Sequence, residues 1–178
     1  MSWSKHFVEL DKKLHDRSSF DCNKPELTQF IQQFAAKHMR AGISRTMVLS
    51  ATQAFPDGKY PICAFYTLAP STIRRESLPQ AMAKRLPHYP IPVFLIAQLA
   101  VHKAYQGQGL GKITLVKALE YLFEINHHMP AYAIVVDCLD TNAEAFYTHY
   151  GFEPLCTHNN RSRLFIPMKS VAQLFKGD

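Results

Sequence analysis

The sequence predicts a mixed α/β layer fold, and we expect residues 1–178 to form a single domain. The predicted elements run helix, hairpin, loop, strand, helix, strand, helix, strand. Two apolar runs of strand length, 92–101 and 131–139, enclose a segment with helical spacing, which is typical of buried strands joined through a helix. The chain contains no linker long enough to divide it, which favours one core.

The first predicted helix covers residues 23–40 and is amphipathic. Asn23 is placed to act as N-cap, Pro25 lies in the first turn, and Gly42 is placed to end the helix. Its apolar residues follow helical spacing; they are Leu27, Phe30, Ile31, Phe34 and Ala35.

A β-hairpin is predicted next, with strands over 44–52 and 59–68. The intervening Pro56-Asp57-Gly58 is turn chemistry, because proline fixes its own φ and glycine tolerates a positive φ. Residues 70–92 are rich in proline and basic side chains, and they are predicted as a long loop with one short helix around 80–86.

The second half of the chain alternates helices and strands. The helix after the first apolar strand is predicted to run to about Asn126. The second apolar strand is followed by a short helix over 141–150, with Thr141 as a possible N-cap and Gly151 as its stop. A strand over 163–168 closes the order.

Composition is that of an ordinary globular protein, with 47% apolar and 19% charged residues. No apolar run approaches the roughly 18–20 residues of a membrane span, and the charged first residues lack a signal-peptide core. The four cysteines form no CxxC pair, which favours reduced thiols over disulfides or a zinc site. We therefore expect a cytoplasmic protein with no membrane contact and no metal. The net charge of +6 is compatible with an anionic ligand or nucleic acid but decides little alone.

Three of the seven glycines, Gly107, Gly109 and Gly111, fall within five positions. A P-loop is excluded, because Ile113 stands where serine or threonine is needed and Gln106 stands where the first glycine is needed. A dinucleotide fingerprint is also excluded, because its last glycine is replaced by Lys112.

A third interpretation of this stretch fits its surroundings. An apolar strand leads into the glycines and a helix follows, so that backbone N–H groups converge at a helix N-terminus where the macrodipole favours an anion. A pyrophosphate could bind there without a side-chain cation. The alternative is a glycine-rich turn that only connects the strand to the helix.

A family resemblance follows from these residues. The pattern Q-x-x-G-x-G after the strand ending LAV, then Ala143, Phe146-Tyr147 and 151–154 (GFEP), resembles the GNAT acetyltransferase superfamily over about residues 92–154. The resemblance implies a central twisted mixed sheet flanked by helices, with splayed strands forming an acetyl-CoA cleft.

Cofactor contacts are also implied by the resemblance. The main chain of Leu99, Ala100 and Val101 would hold the pantetheine arm of acetyl-CoA. Asn142 and Phe146 would contact the cofactor farther along the chain. The pyrophosphate would be held by a run of seven residues: Gln106, Gly107, Gln108, Gly109, Leu110, Gly111 and Lys112. One departure is Asp140, where the family usually carries asparagine.

Tyr147 is the predicted catalytic residue. Acetyl transfer from a thioester releases a thiolate that needs a proton, and a phenol with a pKa near about 10 suits that donation. The oxyanion would meet a backbone N–H, at Leu99 or Ala100. The alternative for Tyr147 is a core aromatic residue. For His149 and His102 we favour exposed polar residues over a general base.

The whole chain resembles the aminoacyl-tRNA-acetylating toxins of bacterial toxin–antitoxin pairs. The segments that carry this resemblance are 20–31, 42–49, 65–73, 89–101 and 164–175. It implies acetylation of the α-amino group of aminoacyl-tRNA, arrest of translation, a ribbon-helix-helix antitoxin as partner and a homodimer. Gln98 departs from the family, which usually carries arginine there.

Basic residues are numerous enough to contact tRNA phosphates, although solvated surface charge explains any one cluster equally well. One candidate face comprises Lys12, Lys13, Arg17, Lys37, Arg40 and Arg45; others comprise Arg74, Arg75, Lys84, Arg85, Arg161 and Arg163. Two alternatives stay open: acetylation of a small amine or protein N-terminus without toxicity, and a non-catalytic acetyl-CoA-binding regulator.

Overall fold

The computed structural model describes residues 2–176, and the chain divides into two compact units. Among the described residues, the first unit holds 2–69 together with Ala97–Ala118, and the second holds Pro70–Ile96 together with 119–176. Each unit has an apolar core of its own. The expectation of a single domain over 1–178 stays a prediction.

The strands of the first unit confirm the predicted hairpin. The unit contains β1 (Val8–Glu9), β2 (His15–Asp16), β3 (Arg45–Ser50), most of β4 (Tyr60–Ile73) and the end of β5 (Ile91–Val101). Strand β3 pairs antiparallel with both β1 and β4, while β2 pairs parallel with the start of β4. The turn between β3 and β4 contains Gly58 at φ 87°, as its sequence predicts.

The first helical segment differs in two ways from the predicted helix over 23–40. It consists of α1 (Pro25–Gln29), a π-helical turn (Phe30–Phe34) and α2 (Ala35–Arg40). The predicted N-cap is wrong: Lys24 occupies the cap position, its side chain does not cap the helix, and Asn23 has a φ of 65°. The reason is Asp21, whose carboxylate accepts the Asn23 N–H at 2.9 Å and turns the chain before the helix begins.

Two apolar clusters cover the two faces of the first unit's strands. One lies under α1 and α2; its buried residues are Leu10, Phe20, Cys22, Phe30, Ile31, Ala35, Val48, Ile62, Phe65 and Ala100. The other includes the start of the long helix α4 (Leu110–His128); its buried residues are Leu49, Ala51, Cys63, Ala64, Tyr105 and Leu110. Burial of each large side chain contributes about 1.5–3 kcal/mol. The strand that ends at Val101 is therefore held from both faces.

In the second unit, β5 pairs in parallel with β6 (Ala133–Asp137). After β6 come α5 (Thr141–His149), β7 (Glu153–His158), β8 (Arg161–Pro167) and α6 (Met168–Phe175). Strand β8 is antiparallel to both β6 and β7, so that with the parallel pair the sheet is mixed, as the fold prediction states. Strand β7 and helix α6 were not predicted. Strand β7 is mostly exposed and lacks an apolar pattern.

The predicted loop over 70–92 is wrong at its start and right at its short helix. Strand β4 continues to Ile73, a 3-10 turn covers Arg75–Ser77, and helix α3 covers Gln80–Ala83. The strand continues because Ile73 is buried in the second unit's core. The other buried members of that core are Leu78, Ala83, Ile91, Val93, Ala133, Val135 and Phe165.

Arg163 of β8 and Asp137 of β6 form a two-pronged ion pair. Arg163 Nε donates to Asp137 Oδ1 at 2.6 Å and its NH2 donates to Oδ2 at 2.8 Å. Only 7% of Arg163 is exposed. The expectation that Arg163 belongs to a basic surface is therefore wrong, because its charge is already neutralised within the sheet.

No helix within residues 2–176 is long and apolar enough to cross a bilayer.

The ion pair gives a stability prediction. Asp137→Asn leaves the buried guanidinium without its counter-charge, and we expect the free energy of unfolding in urea to fall by about 3 kcal/mol. Glu76→Gln is the matched control, because its pair with Arg74 spans 4.0 Å and is largely exposed; we expect a change below about 0.5 kcal/mol. Equal effects from the two substitutions would contradict the assignment.

Candidate active site

The glycine stretch forms an exposed turn between β5 and α4. Residues Gln106–Gly109 are exposed, whereas Leu110 is 1% exposed and anchors the first turn of α4 in the apolar cluster. Gly107 and Gly109 have φ values of 78° and 81°, in the left-handed region that side chains avoid. A Cβ on either residue would meet no atom within 4 Å. The backbone conformation therefore requires glycine, and the space beside it is open.

Backbone donors without a protein acceptor cluster in sequence at this turn. Within residues 2–176, no protein acceptor bonds the backbone N–H groups from Gly107 to Lys112, and the Ile113 N–H is the first to bond, to the Gly109 carbonyl at 3.2 Å. The α4 macrodipole adds partial positive charge at the same place. Unbonded donors beside this partial charge suit an anion, and the anion-binding role of the turn stays a prediction. Gly111 differs from the other two glycines, because it lies within the helix and has no positive φ.

The Gln106 side chain helps to fold the turn. Its Nε2 donates to the Val101 carbonyl at 2.9 Å and to the Cys22 carbonyl at 3.1 Å. The backbone N–H of Gln106 is also engaged, because it donates to the Lys103 carbonyl at 3.4 Å. Gln106 therefore shapes the turn, and the unbonded backbone donors begin at Gly107.

The end of β5 has an edge that another strand does not cover. The register between β5 and β6 covers only Phe94–Ile96, and within the described residues no β6 partner pairs with Ala97–Val101. Ala100 is 5% exposed, packed among the residues under α1 and α2. The backbone N–H and C=O groups along this edge can therefore hydrogen-bond to an extended ligand, as they would to a neighbouring strand.

Gln98 leaves one buried acceptor unsatisfied. Its Oε1 is inaccessible to water and has no hydrogen-bond partner among residues 2–176. A buried acceptor without a donor costs about 1–3 kcal/mol, so this position is not optimised for stability.

Tyr147 lies in the last turns of α5 and is 7% exposed. Its ring makes edge contacts with Phe146 and Phe152, with centroids 5.2 and 5.3 Å away. Burial, and secondarily the nearby Cys138, raises the pKa of Tyr147 well above its ordinary value. The phenol therefore carries its proton at neutral pH, but the raised pKa also makes it a weaker acid than the phenol with a pKa near about 10 on which the sequence prediction relies. Its packing also agrees with the core-aromatic alternative, and its catalytic role stays a prediction.

Asp140 is the N-cap of α5, a place that the sequence assigned to Thr141. Its Oδ1 accepts the Ala143 N–H at 2.9 Å. The departure from asparagine therefore preserves a cap, because both side chains offer the same acceptor oxygen. Asn142, in the first turn, is exposed, and Phe146 is half-buried against Tyr147 and Tyr150.

Cys138 follows β6 directly, and sequence reasoning did not connect it with Tyr147. Burial, followed by the charges of Glu144, Asp137 and Asp140, raises the pKa of its thiol to about 11. A neutral thiol at physiological pH is a poor nucleophile. His149, at the end of α5, is exposed as expected, with its ring against Tyr150.

Comparison with known proteins places these features in a family. Residues 77–154 match the acetyltransferase (GNAT) domain family. A tRNA-acetylating toxin of Mycobacterium tuberculosis (strain ATCC 25618 / H37Rv) is 32% identical over 139 residues, which are 78% of each chain.

Two solved structures are similar over nearly the whole chain. AtaT complexed with acetyl-methionyl-tRNAfMet is 28% identical with a TM-score of 0.84, covering 96% of this chain and 99% of that one. AtaTR bound with AcCoA is also 28% identical, with a TM-score of 0.81 and coverage of 96% and 98%.

The cap of α5 yields a prediction for stability. We expect Asp140→Ala to lower the free energy of unfolding by about 1 kcal/mol, because the helix loses its N-cap acceptor. Asp140→Asn keeps that acceptor and should restore most of the loss. Urea denaturation checks both variants, and an equal loss for alanine and asparagine would show that the charge, not the cap, matters.

Proposed function

We propose that this chain, which belongs to the GNAT acetyltransferase family, acetylates the α-amino group of aminoacyl-tRNA and acts as a toxin that stops translation. The chain is an N-acetyltransferase with acetyl-CoA as its cosubstrate. The observation that carries the proposal is the glycine turn at the start of α4, whose backbone N–H groups from Gly107 to Lys112 have no acceptor within residues 2–176. The relative named as a tRNA-acetylating toxin supports the choice of tRNA.

The residues present fit the phosphate end of acetyl-CoA. Gly107 and Gly109 leave open space where a side chain would stand, so an anion can approach the main chain closely. The backbone N–H groups from Gly107 to Lys112 are the donors for the diphosphate, and the exposed Lys112 side chain adds positive charge. Asn142 and Phe146 are proposed as further contacts.

The edge of β5 is proposed to bind the pantetheine arm. The main chain of Leu99, Ala100 and Val101 would pair with the amide groups of that arm as an added strand. A backbone N–H at Leu99 or Ala100 would stabilise the oxyanion that forms as the thioester carbonyl is attacked.

Tyr147 is proposed as the proton donor. An α-amino group has a pKa near about 7.7–8, so a useful fraction is neutral and needs no strong base. The amine nitrogen adds to the acetyl carbon to give the oxyanion, whose collapse restores the carbonyl and breaks the carbon–sulfur bond, and Tyr147 gives its phenol proton to the departing thiolate. The proton lost by the amine returns to the phenolate through solvent. This role requires that Tyr147 Oη lie within hydrogen-bond distance of the thioester sulfur when acetyl-CoA is bound.

A groove in the first unit supports the tRNA substrate. Its volume is about 500 Å³, and three of the predicted basic residues line it: Lys12, Lys13 and Arg40. All three are exposed. Glu9 and Asp11 line it as well, so the positive excess is small and its contribution would be contact with a few phosphates.

The remaining partners rest on the family resemblance. We propose a ribbon-helix-helix antitoxin that neutralises the enzyme, a homodimer and a cytoplasmic location, where aminoacyl-tRNA is found.

The proposed function is tested by incubating the protein with charged tRNA and labelled acetyl-CoA. Label on the aminoacyl group is the expected result. Label only on polyamines or peptide N-termini would instead support the non-toxic acetyltransferase. Binding of acetyl-CoA without transfer to any of these acceptors would support the regulator.

Removing the phenol should affect chemistry and leave binding intact. We expect Tyr147→Phe to lower kcat by about 10²- to 10⁴-fold, the usual contribution of a positioned acid, with little change in acetyl-CoA affinity. Tyr150→Phe, on the same helix, is the control and should stay within about twofold of wild type in steady-state assays. Full activity of Tyr147→Phe would refute the donor assignment.

Charge reversal in the groove should affect tRNA alone. We expect Lys12→Glu combined with Arg40→Glu to raise the KM for aminoacyl-tRNA by about tenfold or more and to flatten its dependence on salt, because phosphate contacts are lost. Acetylation of a small amine analogue should not change. Lys169→Glu, an exposed lysine of α6 outside every predicted cluster, is the control. An equal effect of Lys169→Glu would mean that net charge, not the groove, is responsible.

A further inference from the structure

We infer that His102 is a positioning residue for the glycine turn and sets how tightly the turn holds the diphosphate of acetyl-CoA. The inference rests on the proposed function, because it concerns the acetyl-CoA site. His102 lies between the end of β5 and the 3-10 turn Lys103–Tyr105 that leads into the glycines. It has no proposed contact with the reacting atoms.

Both ring nitrogens of His102 are engaged. Nδ1 accepts the Ala104 N–H at 3.0 Å and thereby caps the 3-10 turn, while Nε2 lies 3.0 Å from the Ser19 carbonyl oxygen. An amide N–H only donates and a carbonyl only accepts, so Nδ1 is bare and Nε2 carries the proton. The ring is therefore neutral, in one tautomer, and joins two segments far apart in sequence.

Packing fixes the plane of this ring. The Phe20 ring meets it edge-on with centroids 5.5 Å apart, and the Tyr105 ring does the same at 6.0 Å. Phe20 is 1% exposed and Tyr105 is 7% exposed, so both neighbours belong to the core. The two hydrogen bonds of His102 thus tie the turn to a rigid part of the first unit.

Other contacts join the same two segments. Lys103 donates its backbone N–H to the Asp21 carbonyl at 2.8 Å and its Nζ to Asp21 Oδ2 at 3.0 Å, and Gln106 reaches the Cys22 carbonyl. The Lys103–Asp21 ion pair is about half exposed on both sides and so contributes little. Among the side chains in these contacts, His102 alone also caps the 3-10 turn.

Loss of the His102 cap should lower the affinity of the protein for acetyl-CoA. The N–H groups from Gly107 to Lys112 bind a diphosphate well only if they already point at it, since ordering them on binding costs free energy. Without the His102 cap the 3-10 turn loosens, and the donors must be ordered by the ligand itself. The chemical step, which Tyr147 serves, is not touched.

Calorimetry and steady-state kinetics with three variants test the inference. We expect His102→Ala to weaken acetyl-CoA binding about tenfold, with kcat at saturating acetyl-CoA within about twofold of wild type. His102→Asn should recover most of the affinity, because its Oδ1 can accept the Ala104 N–H. Lys103→Ala, which removes the exposed ion pair of the same region, should change affinity by less than about twofold.

Two results would overturn the inference: unchanged acetyl-CoA affinity in His102→Ala, or reduced kcat with unchanged affinity. If His102→Ala fails to fold, His102→Leu, which fills similar space without an acceptor, is compared with His102→Asn, and equal acetyl-CoA affinities of these two variants would count against positioning. Failure of the wild-type protein to bind acetyl-CoA would refute the proposed function itself.

Discussion

The first turn of α4 begins with backbone N–H groups to which no carbonyl of residues 2–176 is hydrogen-bonded. The residues around the turn keep these donors free. Gly107 and Gly109 take left-handed conformations that side chains avoid, and the residues from Gln106 to Gly109 are exposed. Leu110 is buried and holds the helix start in place, while Gln106 and His102 tie the approach to the segment before α1. A chain optimised only for stability would cap this helix with a side chain. Leaving the donors open suits a protein that must bind an anion there.

Burial in the second unit affects both the stability of its packing and the pKa values of two side chains. It stabilises the aromatic group around α5, and the same exclusion of water disfavours the ionised forms of the Tyr147 phenol and the Cys138 thiol, which raises the pKa of both groups. Tyr147 therefore carries its proton at neutral pH but is a weaker acid than an exposed phenol. The ion pair between Arg163 and Asp137 holds the end of β6 against β8. The short connection from β6 to α5 therefore begins at a well-anchored strand end.

Sequence alone predicted the strand, turn and helix around the glycines, because the conformation at Gly107 and Gly109 is local and glycine-specific. It predicted the fold class for a similar reason, since apolar runs and helical spacing reflect burial directly. It failed at helix starts: Asn23 and Thr141 look like caps, yet Asp21 and Asp140 decide where each helix begins. It also missed β7, whose exposed edge position leaves no apolar pattern. Arg163 was misassigned because an ion pair between β8 and β6 depends on strand register, which composition does not reveal.

Binding of the acetyl-CoA diphosphate by the main chain of the glycine turn underlies the other roles proposed for this site. Calorimetric titration of acetyl-CoA into wild type, Gly109→Ala and Gly42→Ala tests it directly. Gly42 is the matched control, because it also has a positive φ, of 77°, with no atom within 4 Å of an added Cβ. Both substitutions carry a comparable backbone penalty of about 1–2 kcal/mol, but only one lies in the turn. We expect wild type and Gly42→Ala to bind alike and Gly109→Ala to bind about tenfold more weakly or worse. Equal binding by all three proteins, or no binding by wild type, would contradict the account.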